Sequence, residues 1–101
     1  MSDELSISVV FLNWYRREDY GRFLAVFEDA ANFPRSYDDW LKKAEHSDYF
    51  QRKSGKRVVR IVFDYDEFIA WCAARNLQIN GHARNSFSAF KSRDIALGRN
   101  N

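Results

Sequence analysis

Only two short stretches of this 101-residue chain have the side-chain pattern of a β-strand, and they lie far apart. Residues 5–12 (LSISVVFL) alternate with a period of two, which is typical of a strand with one face better buried. The more apolar side of this run consists of Leu5, Ile7, Val9 and Phe11. Residues 57–63 (RVVRIVF) form the second run, in which Arg60 interrupts the less buried face. Two strands are marginal as an independent sheet, so helices must cover them or another copy must complete their edges.

Four other stretches have the three- and four-residue apolar period of amphipathic helices. The predicted helices cover about residues 18–32, 37 to 46 or a little beyond, 65–76 and 82–95. Pro34 ends the first helix, Ser36 caps the second, and Asn80 with Gly81 provides a turn or cap before the fourth. The sequence therefore predicts a small α+β protein, a single domain over residues 1–101, with the order β-α-α-β-α-α and a two-strand sheet covered by helices.

The stretch RIVFDYDEF (residues 60–68) places Asp64 and Asp66 at the end of the second strand. A strand followed by Asp-x-Asp resembles haloacid-dehalogenase-like phosphatases, in which the first Asp is a nucleophile and the second an acid/base beside Mg²⁺. Phe68 stands where that motif usually has Thr or Val, and no second carboxylate pair follows. The spacing of Asp64 and Glu67 is that of a capping box, in which Asp64 accepts the N–H of Glu67 and Glu67 reaches back. We therefore predict a helix start and no catalytic residues.

Metal ions and cofactors are not expected either. A calcium loop needs Gly at its sixth position and Glu at its twelfth, and Ile69 and Arg75 occupy these positions after Asp64. Zinc needs at least three ligands, usually in closely spaced pairs, whereas His46, Cys72 and His82 stand singly. The glycines are isolated, so no phosphate-binding loop is present. The sequence predicts no metal, no cofactor and no enzymatic activity.

Charge is unevenly distributed along the chain. Residues 1–50 carry six Lys or Arg and ten Asp or Glu, whereas residues 51–101 carry ten and four, which gives the net charge of +2. A basic half can contact a phosphate backbone, or it can attract an acidic half within one fold or across a dimer. Nucleic-acid binding is therefore the alternative function. Its candidate residues are Lys53, Lys56, Arg57, Arg60, Arg84 and Lys91.

Large aromatic side chains favour a different function. Eight rings exceed what a core of this size is expected to hide: Trp14, Tyr15, Tyr20, Trp40, Tyr49, Phe50, Tyr65 and Trp71. Because Tyr and Trp dominate protein interfaces, we expect a non-enzymatic module that binds another protein or itself as a homodimer. The single cysteine and the lack of a signal peptide or a long apolar run predict a cytoplasmic protein with no membrane partner.

Overall fold

Two parallel strands form the centre of the fold, and helices pack on both of their faces. The computed structural model describes residues 8–96. Within that range the strands are β1 (Val9–Tyr15) and β2 (Arg57–Phe63), and the helices are α1 (Arg17–Val26), α2 (Tyr37–Lys53), α3 (Tyr65–Ala74) and α4 (Gly81–Ala96). The predicted α+β class and the order β-α-α-β-α-α are confirmed, and a short 3₁₀ turn (Ala30–Asn32) precedes α2.

The sheet has a simple register, with Val9 opposite Arg57 and Tyr15 opposite Phe63. Parallel neighbours need a long crossover, which α1 and α2 provide here. Paired residues place their side chains on the same face. We call one face the core face, which carries the odd-numbered residues 9–15 and 57–63, and the other the α2 face, which carries the even-numbered residues.

Aromatic rings fill the space above the core face. Phe63 lies 5.2 Å from Phe68 of α3 and 4.9 Å from Phe87 of α4, measured between ring centroids. Tyr15 lies 5.0 Å from Phe23 of α1. Full burial of a Phe side chain stabilises a fold by about 1.5–3 kcal/mol, so these rings account for much of the stability. On the opposite side, Trp40 of α2 packs edge-on against Trp14 at 5.3 Å.

The first strand begins and ends later in the sequence than predicted. The pattern placed it at residues 5–12, whereas β1 runs from Val9 to Tyr15; the predicted part at Leu5–Ile7 lies outside the described residues. Trp14 and Tyr15 are the buried end of β1, because α1 and α2 pack there. Val9 and Phe11, on the side predicted to be more apolar, remain 44% and 38% exposed.

Two helices of the crossover also differ from the prediction. α1 ends at Val26 instead of residue 32, because Phe27 turns to an extended conformation and the N–H of Glu28 bonds to the carbonyl of Ile79 at 2.9 Å. α2 continues to Lys53 instead of ending near residue 46. Its predicted N-cap is confirmed, since the Ser36 hydroxyl accepts the N–H of Asp39 at 3.1 Å.

The last two helices begin at side-chain caps. The side chain of Asn80 accepts the N–H of Ala83 at 3.1 Å, and α4 begins at Gly81.

α3 ends at Ala74, two residues before its predicted end, and Asn76 adopts a φ of 55°. The Leu77 N–H then bonds to the carbonyl of Cys72 at 3.0 Å, which satisfies one of the last carbonyls of the helix.

Candidate functional site

The acidic residues after β2 are used to begin α3. Asp64 accepts the N–H of Glu67 at 2.9 Å, so the predicted helix cap is confirmed. The Glu67 carboxylate, predicted to reach back to Asp64, instead accepts from Lys91 at 3.0 Å. The hydrogen bond from the Glu67 N–H holds the pKa of the Asp64 carboxyl below its usual value, and a hydrogen bond from the Arg16 guanidinium at 3.1 Å lowers it further. Desolvation of the carboxyl acts in the opposite direction but is outweighed. The Asp64 carboxylate therefore caps α3 and forms an ion pair with Arg16.

The other groups considered for chemistry lie apart from one another. Cys72 is 1% exposed within α3, and burial raises the pKa of its thiol, which disfavours the nucleophilic thiolate. His46 lies on α2 and His82 on α4, both exposed. Over residues 8–96, no three His, Cys, Asp or Glu side chains come together in the way that a metal-binding group requires.

Three of the six basic residues predicted for nucleic-acid binding already have acidic partners. Arg84 is only 8% exposed and donates to both carboxylate oxygens of Asp29, at 3.0 and 2.6 Å. Arg60 donates to Asp48 at 2.8 Å, and Lys91 donates to Glu67. Lys53, Lys56 and Arg57, in contrast, are exposed around the turn between α2 and β2. The structure therefore does not bring the six together on one surface.

The prediction of surplus aromatic rings is wrong for most of the eight. Trp14, Tyr15, Tyr20 and Trp40 are buried, because the Trp40 ring packs against the other three. Tyr65 and Trp71 are half-buried, and their rings pack against Phe23 and Phe87, respectively. Tyr49 and Phe50 are the exceptions among the eight, at 57% and 50% exposed. Both lie near the end of α2.

Besides Tyr49 and Phe50, a second exposed apolar region lies at the outer edge of β1, the edge that faces away from β2. The N–H of Arg57 donates to the carbonyl of Ser8 at 2.9 Å, which determines which residues of β1 hydrogen-bond to β2. In this hydrogen-bond pattern Val9, Phe11 and Asn13 direct their N–H and C=O groups away from β2. We call these three residues the open edge, because no other strand within residues 8–96 pairs with them.

The open edge lacks the features that usually protect an edge strand. Residues 9–15 (VVFLNWY) contain no charged residue and no proline, whereas β2 carries Arg57 and Arg60. Natural proteins usually place charges, prolines or bulges on a free edge to prevent pairing with another chain. A cleft of about 240 Å³ lies beside this edge, between Leu12–Trp14 and the α2 residues Trp40, Lys43, Ala44 and Ser47. The open edge is therefore the surface of the described residues best suited to accept an added strand.

The sequence contained part of this signal. The absence of charge from Val9 to Tyr15 is visible without a structure, and a sheet of two strands leaves an edge on each. Which backbone groups of β1 face away from β2 follows only from the hydrogen-bond pattern between the strands.

No protein-family model, curated protein or solved structure matches the chain. Among residues 8–96, no helix combines the length and the apolar character needed to cross a bilayer.

Proposed function

We propose that this protein is a protein-interaction module that acts by binding and not by catalysis, and that its binding element is the open edge of β1. Its partner strand is that of a second copy of the chain. The observation that carries the proposal is a seven-residue, uncharged strand whose open edge pairs with no other strand within residues 8–96 and whose Val9 and Phe11 side chains remain exposed. We assign the module to the cytoplasm, because Cys72, the single cysteine, is buried and free.

Self-pairing fits this strand for two physical reasons. A strand without charge meets its own copy without like-charge repulsion, whereas β2 would bring its Arg60 close to a second Arg60. Pairing also converts a two-strand sheet into one of four strands, the usual size of a stable sheet. Two-fold dimers are the commonest oligomers, and a two-fold axis makes edge strands antiparallel.

The outward-facing backbone groups of β1 determine how two copies are expected to pair. The central residue of the open edge is Phe11, so a two-fold axis through it places Phe11 opposite Phe11 and Val9 opposite Asn13 of the second copy. Each residue pair then exchanges two main-chain hydrogen bonds, about six in total. The exposed parts of Val9 and Phe11 on the core face become covered by the added strands.

Molar mass measured by light scattering, between about 1 and 100 µM, tests the proposal. The wild type is expected to shift from monomer to dimer with concentration, and Phe11→Lys is expected to remain monomeric because it places like charges opposite each other. Val62→Lys is the matched control, since Val62 is 40% exposed on β2, close to the 38% of Phe11. A monomeric wild type throughout the range would refute the proposal, and so would a Phe11→Lys variant that dimerises normally.

Hydrogen exchange followed by NMR locates the interface independently. The amides of Val10, Leu12 and Trp14 bond to β2 and should be protected at every concentration. The amides of Phe11 and Asn13 should be protected only at concentrations at which the dimer forms. Protection that does not change with concentration at these two positions would exclude the open edge as the interface.

A further inference from the structure

The last two turns of α2 have an inverted pattern of side chains. The positions that face the sheet are polar, namely Ser47, Asp48 and Gln51, whereas Tyr49 and Phe50 point to solvent. Asp48 is tolerated there at 3% exposure because Arg52 and Arg60 both donate to its carboxylate. A soluble helix normally places its rings inward. This helix therefore exposes two rings that its own core does not use.

The exposed rings form a small cluster, which we call the ring surface: His46, Tyr49 and Phe50. The ring centroid of Phe50 lies 4.5 Å from that of His46 and 5.3 Å from that of Tyr49, both with edge-to-face geometry. Edge-to-face contact leaves ring faces that are not covered by a neighbouring ring. All three side chains are exposed, so such faces are accessible to a flat ligand.

Positive charge surrounds the ring surface. Lys42, Lys43, Lys53 and Lys56 are exposed and form no ion pair with any residue from 8 to 96. Lys53 Nζ lies 5.7 Å from the ring centroid of Tyr49. Between residues 42 and 56, Glu45 is the one exposed carboxylate. The region thus combines unneutralised cations with accessible rings, over about 16 Å of helix from residue 42 to residue 53.

We propose that the ring surface binds single-stranded nucleic acid. Bases stack on Tyr49 and Phe50, and the neighbouring lysines neutralise the phosphates on either side of the stacked bases. A duplex fits less well, because its base faces are already stacked. A bilayer also fits less well, since the exposed apolar groups here are two rings without the wide apolar face of an interfacial helix.

The rings of this site are separate from the open edge, and Lys43 is the one neighbouring lysine that also lines the cleft beside that edge. Of the basic residues predicted from the sequence, Lys53 and Lys56 belong to it, whereas Arg60, Arg84 and Lys91 are held by acidic partners. The ring surface lies on the solvent side of α2, and the side chains of Val9 and Phe11 lie on the core face across the sheet. Phe11→Lys should therefore leave nucleic-acid binding unchanged, and replacement of the rings should leave dimerisation unchanged.

Fluorescence anisotropy with labelled dT20 measures the binding directly. With three or four phosphate contacts, the affinity should fall about 20- to 50-fold between 50 and 200 mM salt. Lys53→Gln should reduce the slope of log K against log salt by about 0.7, whereas Lys91→Gln, the control, should leave it unchanged. The absence of binding at about 50 mM salt would refute the proposal, as would equal effects of the two variants.

Ring replacements separate stacking from other modes of binding. Alanine at Tyr49 or Phe50 should weaken dT20 binding by about 5- to 150-fold each, and leucine should weaken it similarly because it has no π-face. Circular dichroism melts verify that these surface variants remain folded. Wild-type affinity in the leucine variants would overturn the stacking model. Equal affinity for a 20-base-pair duplex, or binding to phosphatidylserine vesicles with none to dT20, would also overturn it.

Discussion

Arg84 is expected to be a structural residue, and its replacement by alanine should strongly destabilise the fold. Its side chain is 10% exposed and contacts Asp29, whose side chain is 30% exposed. Its guanidinium also lies 4.4 Å from the ring centroid of Phe27 and 4.9 Å from that of Phe33. Arg84→Ala removes the ion pair and both ring contacts, and it leaves the Asp29 carboxylate without its partner.

The size of the effect follows from the burial of the two partners. Removing one member of a buried ion pair costs about 3–5 kcal/mol, and the partial exposure of Asp29 places this case near the lower end. A loss of about 3 kcal/mol corresponds to a decrease in Tm of about 12–24 °C for a domain of this size. The Lys91–Glu67 pair is more open, with side chains 15% and 42% exposed, so Lys91→Ala should cost about 0–1 kcal/mol.

Urea unfolding followed by tryptophan fluorescence and circular dichroism measures both variants. Arg84→Lys belongs in the same series, because it keeps the charge but loses the two-pronged contact, and its stability should fall between wild type and Arg84→Ala. The double variant Asp29→Ala with Arg84→Ala should show a coupling energy of about 0.5–3 kcal/mol. An Arg84→Ala variant as stable as Lys91→Ala would refute the assignment of Arg84 to the core.

Two further predictions concern carboxylates. Asp64→Ala should cost about 1 kcal/mol in urea unfolding because it removes the helix cap, whereas Asp64→Asn should retain most of the stability; equal losses would contradict the cap. Hydrogen bonds to Asp29, Asp48 and Asp64 hold the pKa of each below its usual value. Their contribution to stability should therefore be complete above about pH 5 and be lost as the pH falls from about 4 towards the lower folded-state pKa values. Unfolding midpoints measured from pH 8 to pH 3 should show this decline, and stability that rises below pH 5 would have the wrong sign.

The element order could be predicted because period and capping are local properties. Asp64 and Ser36 cap the helices that the sequence assigned to them, and β2 has the predicted limits. The end of α2 was missed because its inward positions are polar and its outward positions aromatic, so the apolar period disappears while the helix continues. Asp48 can face the sheet because Arg52, one turn further along α2, and Arg60, from a distant strand, both donate to its carboxylate.

The candidate sites were less predictable than the fold. Alternation identifies the two sides of β1, but it cannot say which side other elements cover, and here Val9 and Phe11 remain exposed. The burial of Arg84 depends on Asp29, which lies fifty-five positions earlier in the chain. A list of basic or aromatic residues therefore gives the composition of a surface but not its location, because location depends on tertiary pairing.

The parallel pairing of β1 with β2 also affects how the protein is made. During translation β1 leaves the ribosome first, and its partner β2 is complete only about 48 residues later, which takes about 2–10 s at usual elongation rates. Throughout that interval the edge of this uncharged, aromatic segment that pairs with β2 lacks its native partner. The nascent chain is thus expected to depend on chaperones at this stage more than a hairpin-based protein of equal length, in which neighbouring strands pair as soon as they emerge.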